Sequence, residues 1–131
     1  APLKAIDRVV SFSFSTLAAK PSYPGPGVWL RGAARQLMRL VLRHQGNAVL
    51  FHSDFAACDR YTHGLQAGAQ VRCPAHLVLA RDDQMTPTRA TKELAATLRA
   101  SVHTLVAGHF LMQECPDGAL DALRASIGEG R

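Results

Sequence analysis

Apolar residues follow two rhythms along the chain, helical up to about residue 70 and strand-like after it. Pro2 opens a stretch in which Ile6, Val9 and Val10 share one side of a helix. The alternation from Ser11 to Ser15 suits a turn or strand as well, and a short helix within residues 1–19 is the expectation. Between Lys20 and Gly27, three prolines and two glycines (Pro21, Pro24, Gly25, Pro26, Gly27) exclude helix and central strand, so a loop is predicted. From Val28 to His44, Leu30, Ala33, Ala34, Leu37, Met38 and Val41 predict an amphipathic helix that stops at Gly46-Asn47. Ser53 or Asp54 then caps another helix, which carries Cys58, Tyr61 and Leu65 on one side and frays around Gly64 and Gly68.

Beyond Val71 the pattern changes. Pro74 precedes an uncharged, largely apolar run from Ala75 to Ala80, which predicts a strand buried on both faces. Arg81 to Met85 form a polar turn, and Thr86-Pro87 reads as N-cap and first residue of a helix running to about Arg99, with Ala90, Leu94 and Leu98 inward. A second strand is expected over Val102–Val106, with Gly108-His109 just past it. A last helix starts near Pro116 and buries Leu120, Leu123 and Ile127. Strand, helix and strand in that order make a βαβ unit with parallel strands.

The chain has 131 residues, 47% apolar and 19% charged, which excludes intrinsic disorder and fits one globular domain or part of one. No basic-then-apolar leader opens it and no apolar run reaches the length of a membrane span, so a soluble cytoplasmic protein is expected. The net charge of +5 raises nucleic-acid binding, for which only the row Arg31, Arg35, Arg39, Arg43 speaks. Without interleaved aromatics that row reads as a solvated helix face, so neither a nucleic-acid nor a membrane partner is expected. Cys58, Cys73 and Cys115 lack a C-x-x-C pair and read as reduced, mostly buried thiols, and the histidines lack metal-ligand spacing. No metal and no cofactor is expected.

Functional groups of a parallel sheet gather at the carboxyl ends of its strands, and Asp83 and His109 follow two adjacent strands there. Taken singly, Asp83 reads as a turn aspartate and His109 as a loop histidine. Together they can form a base: the carboxylate fixes the imidazole tautomer and stabilises the imidazolium, while the other ring nitrogen takes a proton. Asp82 competes for the acidic role. Cys115 is near His109 in sequence, yet Glu-Cys-Pro reads as a helix start and not as an activated thiol.

Residues 71–127, from VRCPAHLVLARDDQMTP through LVAGHF to the last helix, resemble the C-terminal end of an α/β-hydrolase. There the penultimate strand ends in a turn bearing the triad acid, and the last strand ends in Gly-His bearing the triad base. The resemblance implies Asp83 as acid and His109 as base, with Ala80 in place of the usual turn glycine; the Asp-Gln-Met-Thr-Pro register favours Asp83 over Asp82. Residues 28–70, with WLRGAARQLMRLVLR and DFAACDRYTHG, are similar to the helical cap of such proteins. The implied fold class is α/β: a helical cap segment, 1–70, followed by the C-terminal βαβα part of an α/β-hydrolase core, 71–131. A small-molecule substrate would lie between the sheet edge and the cap helices, with Trp29, Met85 and Phe110 as lining; Met38 and Tyr61 could line it too, though their helical spacing suits core.

The family's nucleophile elbow, G-x-S-x-G, is not in the sequence. The one glycine pair so spaced is Gly64-Leu65-Gln66-Ala67-Gly68, centred on Gln66, and it follows a helix instead of a strand. The expectation is a chain that carries the acid and base of an esterase-like hydrolase without its nucleophile or oxyanion hole, and that is inactive alone. Its partner would be the missing N-terminal half, or a second copy bound through the strand edge at Ala75 to Ala80. The alternative is a non-enzymatic, hydrolase-like interaction module associating through that edge.

Overall fold

The computed structural model describes residues 2–16, 27–45 and 50–128, with backbone alone at 2, 27–29 and 45. The predicted loop from Lys20 and the Gly46-Asn47 stop lie outside these residues, as does the side chain of Trp29. The fold is mixed α/β and mostly helical, with a two-stranded parallel sheet. Its order is α1 (Pro2–Ser13), α2 (Gly27–Gln45), α3 (Leu50–Arg60), α4 (Gly64–Gly68), β1 (His76–Ala80), a 3₁₀ turn (Thr88–Thr91) leading into α5 (Lys92–Leu98), β2 (Ser101–Leu105), α6 (Leu111–Glu114) and α7 (Pro116–Gly128).

The first helix puts Ile6 and Val10, four residues apart, on one side, and Phe14, just past its end, continues that side. That side is the centre of the molecule. All three are buried against Ala34 of α2, with Leu30, Met38, Leu42 and Phe51 packed around them. The inward face of α2 is thus Leu30, Ala34, Met38 and Leu42, and not the predicted set, since Ala33 and Leu37 are exposed. Rotation of that face half-buries Arg31, Arg35 and Arg39 and leaves Arg43 exposed. Arg35 pairs with Asp7 of α1 at 2.6 Å, and the Nε atoms of Arg31 and Arg39 are buried, so the row is no free solvated stripe.

Helix α3 starts at Leu50, three residues before Ser53, so neither Ser53 nor Asp54 caps it. It ends at Arg60, which leaves Tyr61 outside and exposed and Leu65 in the separate α4. Two of the thiols, Cys58 and Cys73, are exposed instead of buried, and Cys115 is half-buried.

Strands β1 and β2 pair in parallel from His76 opposite Ser101 to Ala80 opposite Leu105. Between them α5 begins later than Thr86-Pro87 predicts, because the Thr86 hydroxyl is given to Asp83 and caps no helix. Ala90 is exposed, while Leu94 and Leu98 are half-buried. Arg99, in the left-handed region at φ 51°, ends the helix and its amide donates to Ala96 at 3.1 Å.

The sheet unit buries little of its own. Strand β1 is half-buried along most of its length and not enclosed on both faces, and Ala80, Ala107, Ala119 and Ala122 are its fully buried apolar residues. Helix α7 turns Ala119 and Ala122 inward, so the expected stripe Leu120, Leu123 and Ile127 faces outward, Ile127 being 68% exposed. The stripe is at helical spacing, but the two-stranded sheet offers no surface wide enough to cover it. Among the described residues no helix is long and apolar enough to cross a membrane.

Candidate active site

The parallel ladder continues past both strands and aligns their exits. The Arg81 amide donates to the Leu105 carbonyl at 2.8 Å and the Asp82 amide to the Ala107 carbonyl at 3.0 Å. This fastens the turn after β1 alongside the Ala107-Gly108-His109 segment. Asp83 and His109 therefore meet, with His109 Nδ1 2.9 Å from Asp83 Oδ2. The two belong to adjacent strand ends 26 positions apart, and the strand register brings them together.

Asp83 is the better held of the two. Its Oδ1 accepts the amides of Met85 at 2.8 Å and Thr86 at 2.9 Å, and its Oδ2 accepts the Thr86 hydroxyl at 2.8 Å as well as the imidazole. Its side chain is 7% exposed, against 35% for His109. Burial alone would push this carboxyl up; donation by the Thr86 amide, His109, the Thr86 hydroxyl and the Met85 amide outweighs that and holds it below the usual aspartate value. An anionic Asp83 requires hydrogen on Nδ1, which leaves Nε2 as the basic nitrogen. No hydrogen bond joins Nε2 to the described residues. Asp82 instead pairs with Arg81, through two contacts of 3.2 Å.

The loop before His109 is clamped from below. The Glu114 carboxylate accepts the Gly108 amide at 3.1 Å, the Ser15 amide at 3.1 Å, and the Ser15 hydroxyl. Gly108 lies so close to the Phe14–Ser15 backbone that a Cβ there would overlap both residues, so only glycine fits. The Phe110 amide adds a bond to the Ser13 carbonyl at 2.9 Å. The end of α1 thus seats the histidine loop. Sequence reasoning missed Glu114, Ser15 and Thr86. An Asp-x-x-Thr turn signal could have found Thr86, whereas nothing local marks Glu114 or Ser15.

The expected lining separates on inspection. Met85 does line a cleft of about 320 Å³ with Arg8, Phe12 and Phe55. The Phe110 ring instead packs on Phe14, with centroids 5.0 Å apart, against the core cluster. Met38 is both, a core neighbour that also lines a larger cavity. Tyr61 is neither. Ser13 and Ser15, which flank the histidine loop, are buried with their hydroxyls engaged by Val9 and Glu114. Among the described residues no cluster of three or more His, Cys, Asp or Glu could hold a metal ion.

No family model, curated protein or solved structure matches the chain. The site therefore speaks through its own chemistry: a hydrogen-bonded carboxylate, an oriented imidazole and one basic nitrogen left open.

Proposed function

We propose that the chain is the cap-bearing C-terminal part of an α/β-hydrolase that cleaves an ester, lactone or related acyl bond. The observation that carries this reading is the 2.9 Å Asp83–His109 bond at two adjacent parallel strand ends, with every other Asp83 contact fixing its orientation. In the proposed reaction His109 Nε2 takes the proton of a serine hydroxyl supplied by residues beyond these 131, and the serine oxygen adds to the substrate carbonyl. The imidazolium, stabilised by Asp83, then gives that proton to the leaving alkoxide. Water repeats the sequence on the acyl-enzyme, releasing the acid and restoring the serine. Hydrolysis of p-nitrophenyl esters by the protein carrying its upstream segment tests this. His109→Ala and Asp83→Ala should each lower kcat by about 10²-fold or more, while Asp82→Ala should change it little. Unchanged turnover in His109→Ala sinks the reading.

A second reading, an interaction module, has one observation in its favour. Among the described residues β1 pairs on one side alone, and α7 turns Leu120, Leu123 and Ile127 outward. The same features suit the first reading, in which further strands of the sheet cover them.

A further inference from the structure

Two largely apolar cavities that share residues lie along α1 and α3. The larger, about 690 Å³, is lined by Ile6, Val9, Met38, Phe51 and Phe55 among others. The second, about 320 Å³, shares Val9 and Phe55 with it and continues to Phe12 and Met85. Met85 is where this path meets the dyad: its amide donates to Asp83, and its sulfur lies 3.2 Å from the hydroxyl of Ser13, whose carbonyl holds the Phe110 amide next to His109.

We infer that this groove is an acyl-tail site, and, resting on the hydrolase reading, that the substrate is an ester or thioester of an unbranched medium-chain acid. The groove is long in one direction. From Phe12 to Ala5 it follows α1 for two turns, about 10 Å, the reach of an alkyl tail of about eight carbons. A compact ring would fill one cavity and leave the other empty. The walls are mostly aliphatic and aromatic, Arg8 and Gln84 being the polar residues of the second cavity, with a flexible methionine in each cavity to close around a tail. His52 and Asp59, seven positions apart on α3, are the polar residues of the larger cavity.

The three methionines allow a direct test. Met38 and Met85 line the groove, and Met112 is 72% exposed outside it. With ¹³C-methyl methionine and ¹⁵N-imidazole labels, sodium octanoate should shift Met38 and Met85 saturably and leave Met112 still. Butyrate should bind at least tenfold more weakly, because each methylene withdrawn from water adds to affinity. Ala56→Trp, on the groove wall, should abolish the shifts, whereas Ala57→Trp on the exposed face should keep them, with circular dichroism confirming that both fold. Silent Met38 and Met85, or equal shifts at all three methionines, overturn the groove. A silent His109 imidazole with shifting methionines leaves the tail site standing and removes the reading that puts the head group at the dyad.

Discussion

The Glu114 carboxylate accepts the Gly108 amide at 3.1 Å, one residue before His109. Through this bond and those to Ser15, a single acid ties the exit of β2 to the end of α1, so the position of the imidazole depends on the helical segment as much as on the sheet.

Two substitutions should separate seating from chemistry. Gly108→Ala forces a methyl into the Phe14–Ser15 backbone and should cost about 1–3 kcal/mol in urea unfolding. Glu114→Ala leaves the Gly108 and Ser15 amides without their acceptor and should cost a similar amount, about 1–3 kcal/mol. Both should broaden or move the His109 ring signals, and Glu114→Gln, which keeps an acceptor oxygen, should restore part of the loss. Stability unchanged in Glu114→Ala would mean that the clamp does not hold the loop.

The lowered pKa of Asp83 makes an acid-side prediction. A carboxyl whose folded value lies below its unfolded value, about 3.9, adds stability that is complete above that value and is lost as pH falls through the folded pKa. The native chain should therefore lose urea resistance below about pH 4 more steeply than Asp83→Asn. At neutral pH the order reverses in emphasis: Asp83→Asn should be the weaker protein, because one oxygen acceptor has become a donor facing the Thr86 and Met85 amides or the imidazole. Parallel stability curves for the two proteins between pH 2.5 and 7 would contradict the assignment.

The dyad was legible in the sequence because its determinants are local. A polar turn after one strand and Gly-His after the next put both groups at the same sheet edge, once the strands pair in parallel. The Asp82 or Asp83 choice was also local, since Thr86 and the Met85 amide lie within a turn's reach of Asp83. Burial was less legible. Leu120, Leu123 and Ile127 mark the greasier face of α7, yet Ala119 and Ala122 face inward, because what a helix buries depends on the surface opposite it. Phe110 reads as pocket lining beside His109, but Phe14, 96 positions away and invisible to any local rule, takes its ring. Helix α3 passes through its expected cap because Leu50 and Phe51 extend the apolar face N-terminally of Ser53.

The exposed side of the sheet unit should make the chain associate. With β1 paired on one side among the described residues and Val102, Leu120, Leu123 and Ile127 exposed, a two-stranded unit has both an open ladder and uncovered apolar surface. Sedimentation at micromolar concentration should show dimers or larger species. Leu123→Glu together with Ile127→Lys should shift the population toward monomer. A stable monomer of the unsubstituted chain would argue that the surface is tolerated as it stands.

Activity gives the sharpest separation between dyad and enzyme. The chain alone should not hydrolyse p-nitrophenyl esters above the rate of its His109→Ala variant. Asp83 and His109 supply a base, but acyl transfer also needs a positioned nucleophile and donors aimed at the developing oxyanion. The hydroxyls of Ser13 and Ser15, which flank the histidine loop, are committed elsewhere, Ser13 to the Val9 carbonyl at 2.8 Å and Ser15 to Glu114. Loss of the nucleophile alone costs several orders of magnitude in enzymes of this chemistry, which places residual turnover below detection. Turnover that disappears with His109→Ala would instead place a nucleophile within these residues. Ser13 would then be the first to replace, since its carbonyl already holds the amide beside His109.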